Sequence, residues 1–260
     1  MNVQGGKLTK YIINPNLPEG SVKLAIIDGR IGIDAEKKLK SLGMGLLKMK
    51  PHRGLYEAVC SHPDMLLHHI GDRTVVFAPG TDPALLNELR TYGFTLLEGK
   101  RELSPSYPLD IAYNVARVGN KYFHNLKYTD PVIAGRLERM GIKAVHIEQG
   151  YAKCSMLPVD KNSIITSDPG VAKAAEREGL HVLLADFGSS IKLPGLNCGF
   201  IGGAGGMLSE KICAVNGKIN DLNCFKAVST FLSKRKINFL ELSDEPATDI
   251  GSILPLISEI

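Results

Sequence analysis

The chain says nearly the same thing five times, and that regularity constrains its fold more than any single residue does. Thr81-Asp82-Pro83, an apolar-striped run, then Gly93 and a hydrophobic strand form a phrase. The phrase returns as Thr129-Asp130-Pro131 with Gly141, and again as Ser167-Asp168-Pro169 with Gly179. Ahead of each copy lies a short apolar stretch opened by a polar residue: Asp64, Asp110 and Cys154. Two looser copies open at Cys198 and Asp249, so the intervals are 46, 44, 44 and 51 residues. A fixed period of this length means stacked supersecondary units, none of which buries its own apolar face.

Each copy reads as strand, turn, strand, helix, strand. In the third, Cys154 to Val159 reads as an apolar strand, Asp160-Lys161-Asn162 as a turn, and Ser163 to Thr166 as a second strand. Asp168 is placed to cap a helix, with Pro169 at its first position, where a missing N–H costs nothing. Gly179 suits the left-handed residue that ends the helix, and Leu180 to Asp186 returns as a strand. Leu85, Leu86 and Leu89 supply the helix stripe in the first copy; Val132, Ile133 and Leu137 supply it in the second.

The fifth copy begins at Asp249 but runs out at Ile260, before any helix. Its missing pieces stand at the other end of the chain: strand Lys23 to Ile27, helix-like Asp34 to Leu42, Gly43, and strand Met44 to Met49. An N-terminal half-repeat joined to a C-terminal half-repeat closes a ring and removes exposed sheet edges. Residues 1–260 therefore read as one domain, a five-bladed α/β propeller, with residues 1–20 as an extension. Within that extension, Tyr11 to Pro18 is rich in Asn and Pro. It either crosses one mouth of the ring or hangs beside it.

Composition adds bounds. Mean hydropathy is zero, and no apolar run approaches the length of a membrane span. Five cysteines, an odd number, with a polar start unlike a secretory signal, point to reduced thiols in a cytosol. The formal charge of +4 is mild and its lysines and arginines are scattered, so no nucleic-acid partner is expected. The densest group, Lys234-Arg235-Lys236, suits a helix end. Gly199 to Met207 is glycine-rich but lacks the spacing of a phosphate loop or dinucleotide fingerprint.

Five such units in a closed ring resemble the pentein superfamily, the fold of guanidine-modifying enzymes, and within it an uncharacterised branch of clostridial type with no assigned activity. The superfamily includes deiminases, amidinotransferases and hydrolases, and also a ribosome anti-association factor without catalysis. The resemblance implies early acidic residues that hold a guanidinium, and Asp64 and Asp110 stand there. It implies a His-x-Asp in the third repeat, where this chain has Ala152-Lys153-Cys154. It implies a cysteine in the last repeat, where the chain has Thr248-Asp249-Ile250-Gly251-Ser252.

Equivalent residues of a ring meet near its axis, so Asp64, Asp110, Cys154, Cys198 and Asp249 should converge, with His62, Asn114, Lys153 and Ser252 nearby. Crowded carboxylates raise one another's pKa values, and stability gives no reason to gather them. One reading is hydrolysis of a guanidino or related C–N bond, with Cys198 or Cys154 as the thiolate and His62 as general acid–base. Asp64, Asp110, Asn114, Lys153 and Asp249 would then bind the substrate. The alternative is a non-catalytic pentein that binds a small cation or a macromolecular partner. A third is a zinc site from Cys154, Cys198, His62 and an aspartate. Without a short Cys-x-x-Cys or His-x-x-x-His pairing, neither metal nor cofactor is expected.

Overall fold

In a computed structural model, which describes residues 2–4 and 7–260, each Thr/Ser-Asp-Pro phrase starts a nine-residue helix. Asp82, Asp130 and Asp168 accept from Ala84, Val132 and Val171 amides respectively, which satisfies amides that the first turn leaves free. The helices end alike. Gly179, at φ +79°, donates to Glu176 O while Leu180 donates to Ala175 O. Gly93 and Gly141 repeat both bonds with their neighbours Phe94 and Ile142. The apolar stripes largely behave as the spacing demands: Leu85, Leu86, Leu89, Ile133, Leu137, Val171, Ala172 and Ala175 are buried, and Val132 is half-buried.

Each repeat contributes a three-stranded sheet. In the first, Leu67–Gly71 pairs antiparallel with Thr74–Phe77, which pairs parallel with Thr95–Glu98. Ala116–Val118, Lys121–His124 and Lys143–His146 form the second; Met156–Asp160, Ser163–Thr166 and His181–Leu184 the third. Gly205–Ser209, Ile212–Val215 and Asn238–Glu241 form the fourth. The fifth is built from both ends: Leu254–Glu259 pairs antiparallel with Val22–Asp28, which pairs parallel with Gly45–Met49. The two half-repeats thus complete one blade.

Closure is visible at the axis, where every repeat bonds to the next. Asn114 Nδ2 donates to Asp64 O, Lys153 N to Asn114 O, and Lys153 Nζ to Gly202 O. Ser252 N donates to Gly203 O at 2.7 Å, and Asp64 N returns to Gly251 O at 3.2 Å.

The extension crosses the mouth at the hairpin-turn end. Lys7–Tyr11 adds to the fifth sheet beside Leu254–Glu259. Ile12 O then accepts from Asp72 N in the first repeat, while Leu17 packs with Leu157, Val159 and Met207 of the third and fourth. Residues 1, 5 and 6 lie outside the described part of the extension. No described helix is long and apolar enough to cross a membrane.

One local expectation is corrected. In three of the repeats the opening residues are a helical turn, not the start of the strand: Pro63–Leu66, Ala152–Ser155 and Ile201–Ala204 precede strands that begin at Leu67, Met156 and Gly205. The ladder partners fix the phase, with Leu67 opposite Phe77, Met156 opposite Thr166 and Gly205 opposite Val215. On that phase Asp64 is matched by Lys153 and Gly202, and Cys154 by Met65 and Gly203. The five polar openings are therefore not equivalent positions.

Candidate active site at the ring axis

The helical turns that carry Asp64, Lys153 and Cys154, and the irregular turns that carry Asp110, Asn114, Asp249 and Ser252, meet at the axis. His62, Asp64, Asp110, Asn114, Lys153, Cys154, Asp249 and Ser252 are all buried there, none more than 4 % exposed. At the centre, one ligand atom each from His62, Asp64 and Cys154 lies within 4.8 Å of the other two.

Asp64 is held on one side only. Its Oδ2 accepts from Ser252 Oγ at 2.6 Å and faces Cys154 Sγ at 3.3 Å, while its Oδ1 is buried with no partner. Asn114 ties the first three repeats together. Its Nδ2 points at Cys154 Sγ, 3.1 Å away, and its Oδ1 accepts from the amides of Lys153 and Cys154. Lys153 Nζ donates to Ser252 Oγ at 2.7 Å and to Gly202 O at 3.1 Å.

His62 stands between two carboxylates. Its Nδ1 is 3.7 Å from Asp249 Oδ1 and its Nε2 3.9 Å from Asp28 Oδ2, beyond hydrogen-bond reach, so neither nitrogen has a partner. Asp249 is fixed by the amides of Gly251 and Phe200. Asp28 is clamped by Arg30 through Nε and Nη2, and the same guanidinium reaches the carbonyls of Glu57 and Ala58. The Asp28–Arg30 pair went unnoticed in the sequence. Its signal is the charged Asp28-Gly29-Arg30 ending of an otherwise apolar strand.

The electrostatics follow from burial. Desolvation and the charges of Asp64 and Asp249 push the Cys154 thiol well above its ordinary range, so it is neutral. Desolvation lowers Lys153, against the pull of Asp64, Cys154 and Asp249. Burial raises Asp249, with His62 opposing and Asp64 reinforcing, and burial raises Asp110.

Asp110 sits apart from the trio. Tyr151 donates to its Oδ2 at 2.6 Å, and its Oδ1 is buried and unpartnered. Above it runs an aromatic cover: Tyr107 and Tyr151 centroids are 5.7 Å apart, Tyr151 and Phe200 6.3 Å, and Tyr56 Oη is 3.4 Å from Tyr151 Oη. Tyr113, by contrast, is core, donating to Arg101 O.

Cys198 is not brought into the cluster. It lies exposed in the loop before Gly199, while Asp249 fills the fourth repeat's opening, where a Cβ on Gly199 or Gly203 would collide with it. Of the other thiols, Cys213 lies in the core with its pKa pushed up to about 12, Cys60 is buried and donates to Glu57 O, and Cys224 is half-buried. A cleft of about 320 Å³ reaches Arg30, Thr248 and Ile250 from outside. A wider one, about 890 Å³, lies at the opposite end beside Leu17 and Lys161 and holds none of these residues.

The profile of a family of unknown function, DUF6873, matches residues 26–254. The chain belongs to that family. No curated protein matches it. Among solved structures, agmatine deiminase from C. jejuni superposes with a TM-score of 0.57 at 10 % identity, covering 93 % of this chain and 92 % of that one. Inosamine-phosphate amidinotransferase StrB1 from Streptomyces griseus gives 0.54 at 12 %, covering 91 % of each. DDAH from Pseudomonas aeruginosa, in complex with citrulline, gives 0.54 at 8 %, covering 92 % and 100 %. The fold of this DUF6873 chain is that of the penteins. At such identities the likeness carries architecture alone.

Proposed function

We propose that the axial cluster binds a small planar cation of the guanidinium or amidinium class and cleaves one of its C–N bonds, with Cys154 as nucleophile and His62 as general acid–base. The observation that carries this reading is the close approach of His62, Asp64 and Cys154, with both His62 nitrogens and Asp64 Oδ1 left without partners. A buried carboxylate oxygen with no donor is costly, and a forked N–H donor relieves it.

The chemistry balances as a hydrolysis. His62 takes the thiol proton, and Cys154 Sγ bonds to the central carbon of the cation. The C–N bond breaks as His62 returns the proton to the departing amine. Water then displaces sulfur, leaving a urea from a guanidinium or an amide from an amidinium, and a restored thiol. The neutral resting thiol fits this order: a cation among the carboxylates opposes the charges that hold the proton on, so the thiolate forms only with substrate present. Asp249 and Asp28 flank the imidazole and favour its charged form once it takes the proton, while Asp110 under Tyr151 and Tyr56 receives the cation's substituent. Asn114 and Lys153 keep Cys154 and Asp64 in place. The pentein relatives that act on guanidino compounds, agmatine deiminase and the amidinotransferase, support the class of ligand.

The test is a panel of guanidino and amidine compounds, scored for ammonia or amine release and for a covalent adduct on Cys154 by mass spectrometry. Turnover lost in Cys154→Ser and retained in Cys198→Ser supports the proposal. Stabilisation by the cations without turnover or adduct leaves a passive binder and overturns the chemistry. Absence of both removes the ligand class as well.

A further inference from the structure

His62, Asp64 and Cys154 are also a metal-ligand set, and among the described residues they are the one group of three such side chains close enough to hold an ion. Imidazole, carboxylate and thiolate are the donors that zinc takes, and three protein ligands leave its fourth position open. The donors come from two repeats, His62 and Asp64 from the first and Cys154 from the third, and Cys198, part of the zinc set read from the sequence, is not among them.

The surroundings are those of metal ligands. The donors differ in how they are held: Asp64 keeps one oxygen bare, both His62 nitrogens are unpartnered, and Cys154 Sγ meets Asn114 Nδ2 and Asp64 Oδ2. Ser252 Oγ occupies Asp64 Oδ2 and leaves Oδ1 unpartnered. Asn114 Nδ2 points at Cys154 Sγ from 3.1 Å, the direction from which an amide supports a thiolate. Whichever His62 nitrogen takes the ion, the other faces a carboxylate, Asp249 at 3.7 Å or Asp28 at 3.9 Å, and Asp28 is itself clamped by Arg30. Outer carboxylates on a ligating histidine set its tautomer and raise its basicity. The one cation in the cluster, Lys153, is turned away onto Ser252 Oγ and Gly202 O.

We infer that this trio binds one Zn²⁺, through Asp64 Oδ1, Cys154 Sγ and one His62 nitrogen. The ion displaces the Cys154 proton and offsets the surplus of buried carboxylates. It needs the same Asp64 oxygen and the same sulfur as the proposed cation, so the two occupants exclude one another. The inference goes beyond the hydrolase reading and stands whether or not any guanidino compound is turned over.

The experiment is titration of metal-stripped protein with Zn²⁺ against a chromophoric chelator, and with Co²⁺ for optical spectra. One equivalent should bind, and Co²⁺ should show a sulfur-to-cobalt charge-transfer band. Cys154→Ser should abolish the band, Cys198→Ser should keep it, and Asn114→Ala should weaken binding by about 10–100-fold. Should the Cys154 variant fail to fold, X-ray absorption on the wild-type zinc protein decides instead, a single sulfur beside nitrogen and oxygen being expected. Failure to take up one equivalent, or a bound metal with no sulfur ligand, overturns the inference.

Discussion

Cys154 Sγ lies 3.3 Å from Asp64 Oδ2, a thiol against a carboxylate brought together from the third and first repeats. Burial raises the pKa of this thiol most, and the contact adds to it, since ionising the sulfur sets two like charges side by side. Iodoacetamide should therefore leave Cys154 nearly unlabelled in the native protein near neutral pH, while the exposed Cys198 reacts. Labelling read cysteine by cysteine by mass spectrometry checks this. Rapid alkylation of Cys154 with an apparent pKa below about 8.5 would contradict the electrostatic account.

How much of this was legible in the sequence differs between fold and site. The Asp-Pro caps at Asp82, Asp130 and Asp168 and the glycines that end those helices were readable because local backbone chemistry demands them. The two half-repeats were readable because Val22–Asp28 and Gly45–Met49 are what the copy at Asp249 lacks. The phase at the axis was not. A single helical turn, such as Ala152–Ser155, carries no periodicity, and its polar residue reads as the first residue of the strand that follows. Hence Cys154 was matched with Asp64, whereas the ladder matches Lys153. Cys198 lies four residues before Gly202, the fourth repeat's match to Asp64, so a 44-residue count from Cys154 falls short of the axial turn.

Ser252 is the hinge between Lys153 and Asp64, accepting from Nζ at 2.7 Å and donating to Oδ2 at 2.6 Å. Ser252→Ala leaves a buried ammonium with Gly202 O alone and strips a carboxylate oxygen of its shortest bond. The expected loss is about 1–3 kcal/mol. It is read as a lower urea midpoint at unchanged m-value; an unshifted midpoint would mean that water replaces the hydroxyl without cost.

A cationic ligand should weigh the carboxylates individually. Asp64→Asn keeps the shape and the Ser252 contact but removes the charge facing Cys154. Affinity for a guanidinium or amidinium should fall by about 1.5–3 kcal/mol for the lost charge-assisted bond. Calorimetry on the folded variant measures it. Equal affinity in Asp64→Asn would move the ligand away from the axis.

Three buried histidines give stability a pH slope. Desolvation, with Arg117 assisting, lowers His68 to about 3 and His69 to about 4, and desolvation lowers His124 to about 4. Their folded pKa values lie below the unfolded value of 6.5, so the unfolded chain binds their protons first as pH falls. The stability they contribute is complete above about pH 6.5 and is lost progressively down to pH 3–4. The slope is roughly 1.4 kcal/mol per pH unit for each histidine. Asp110 and Asp249, with raised pKa values, act with the opposite sign at the acid end. Imidazole NMR resonances of the three should stay neutral at pH 5.5, where the urea midpoint is already lower than at pH 7. Titration of any of the three near 6.5 would refute the assignment.

The turn that carries Asp249 and Ser252 around the axis depends on Gly251. Its φ of +64° lies in the left-handed region, and a Cβ there would run into Cβ of His62. Backbone strain and overpacking act together, so Gly251→Ala should cost at least about 1–3 kcal/mol. The displaced group is specific: His62 must move from its seat between Asp28 and Asp249. The variant should therefore weaken Zn²⁺ uptake and any cation turnover beyond what its stability explains. Gly141→Ala is the control, since it too has positive φ, +69°, but a Cβ there meets nothing within 4 Å. It should lose stability through strain while leaving axial binding unchanged. Equal loss of binding in both variants would show that the effect is global unfolding, and that Gly251 does not set the position of His62.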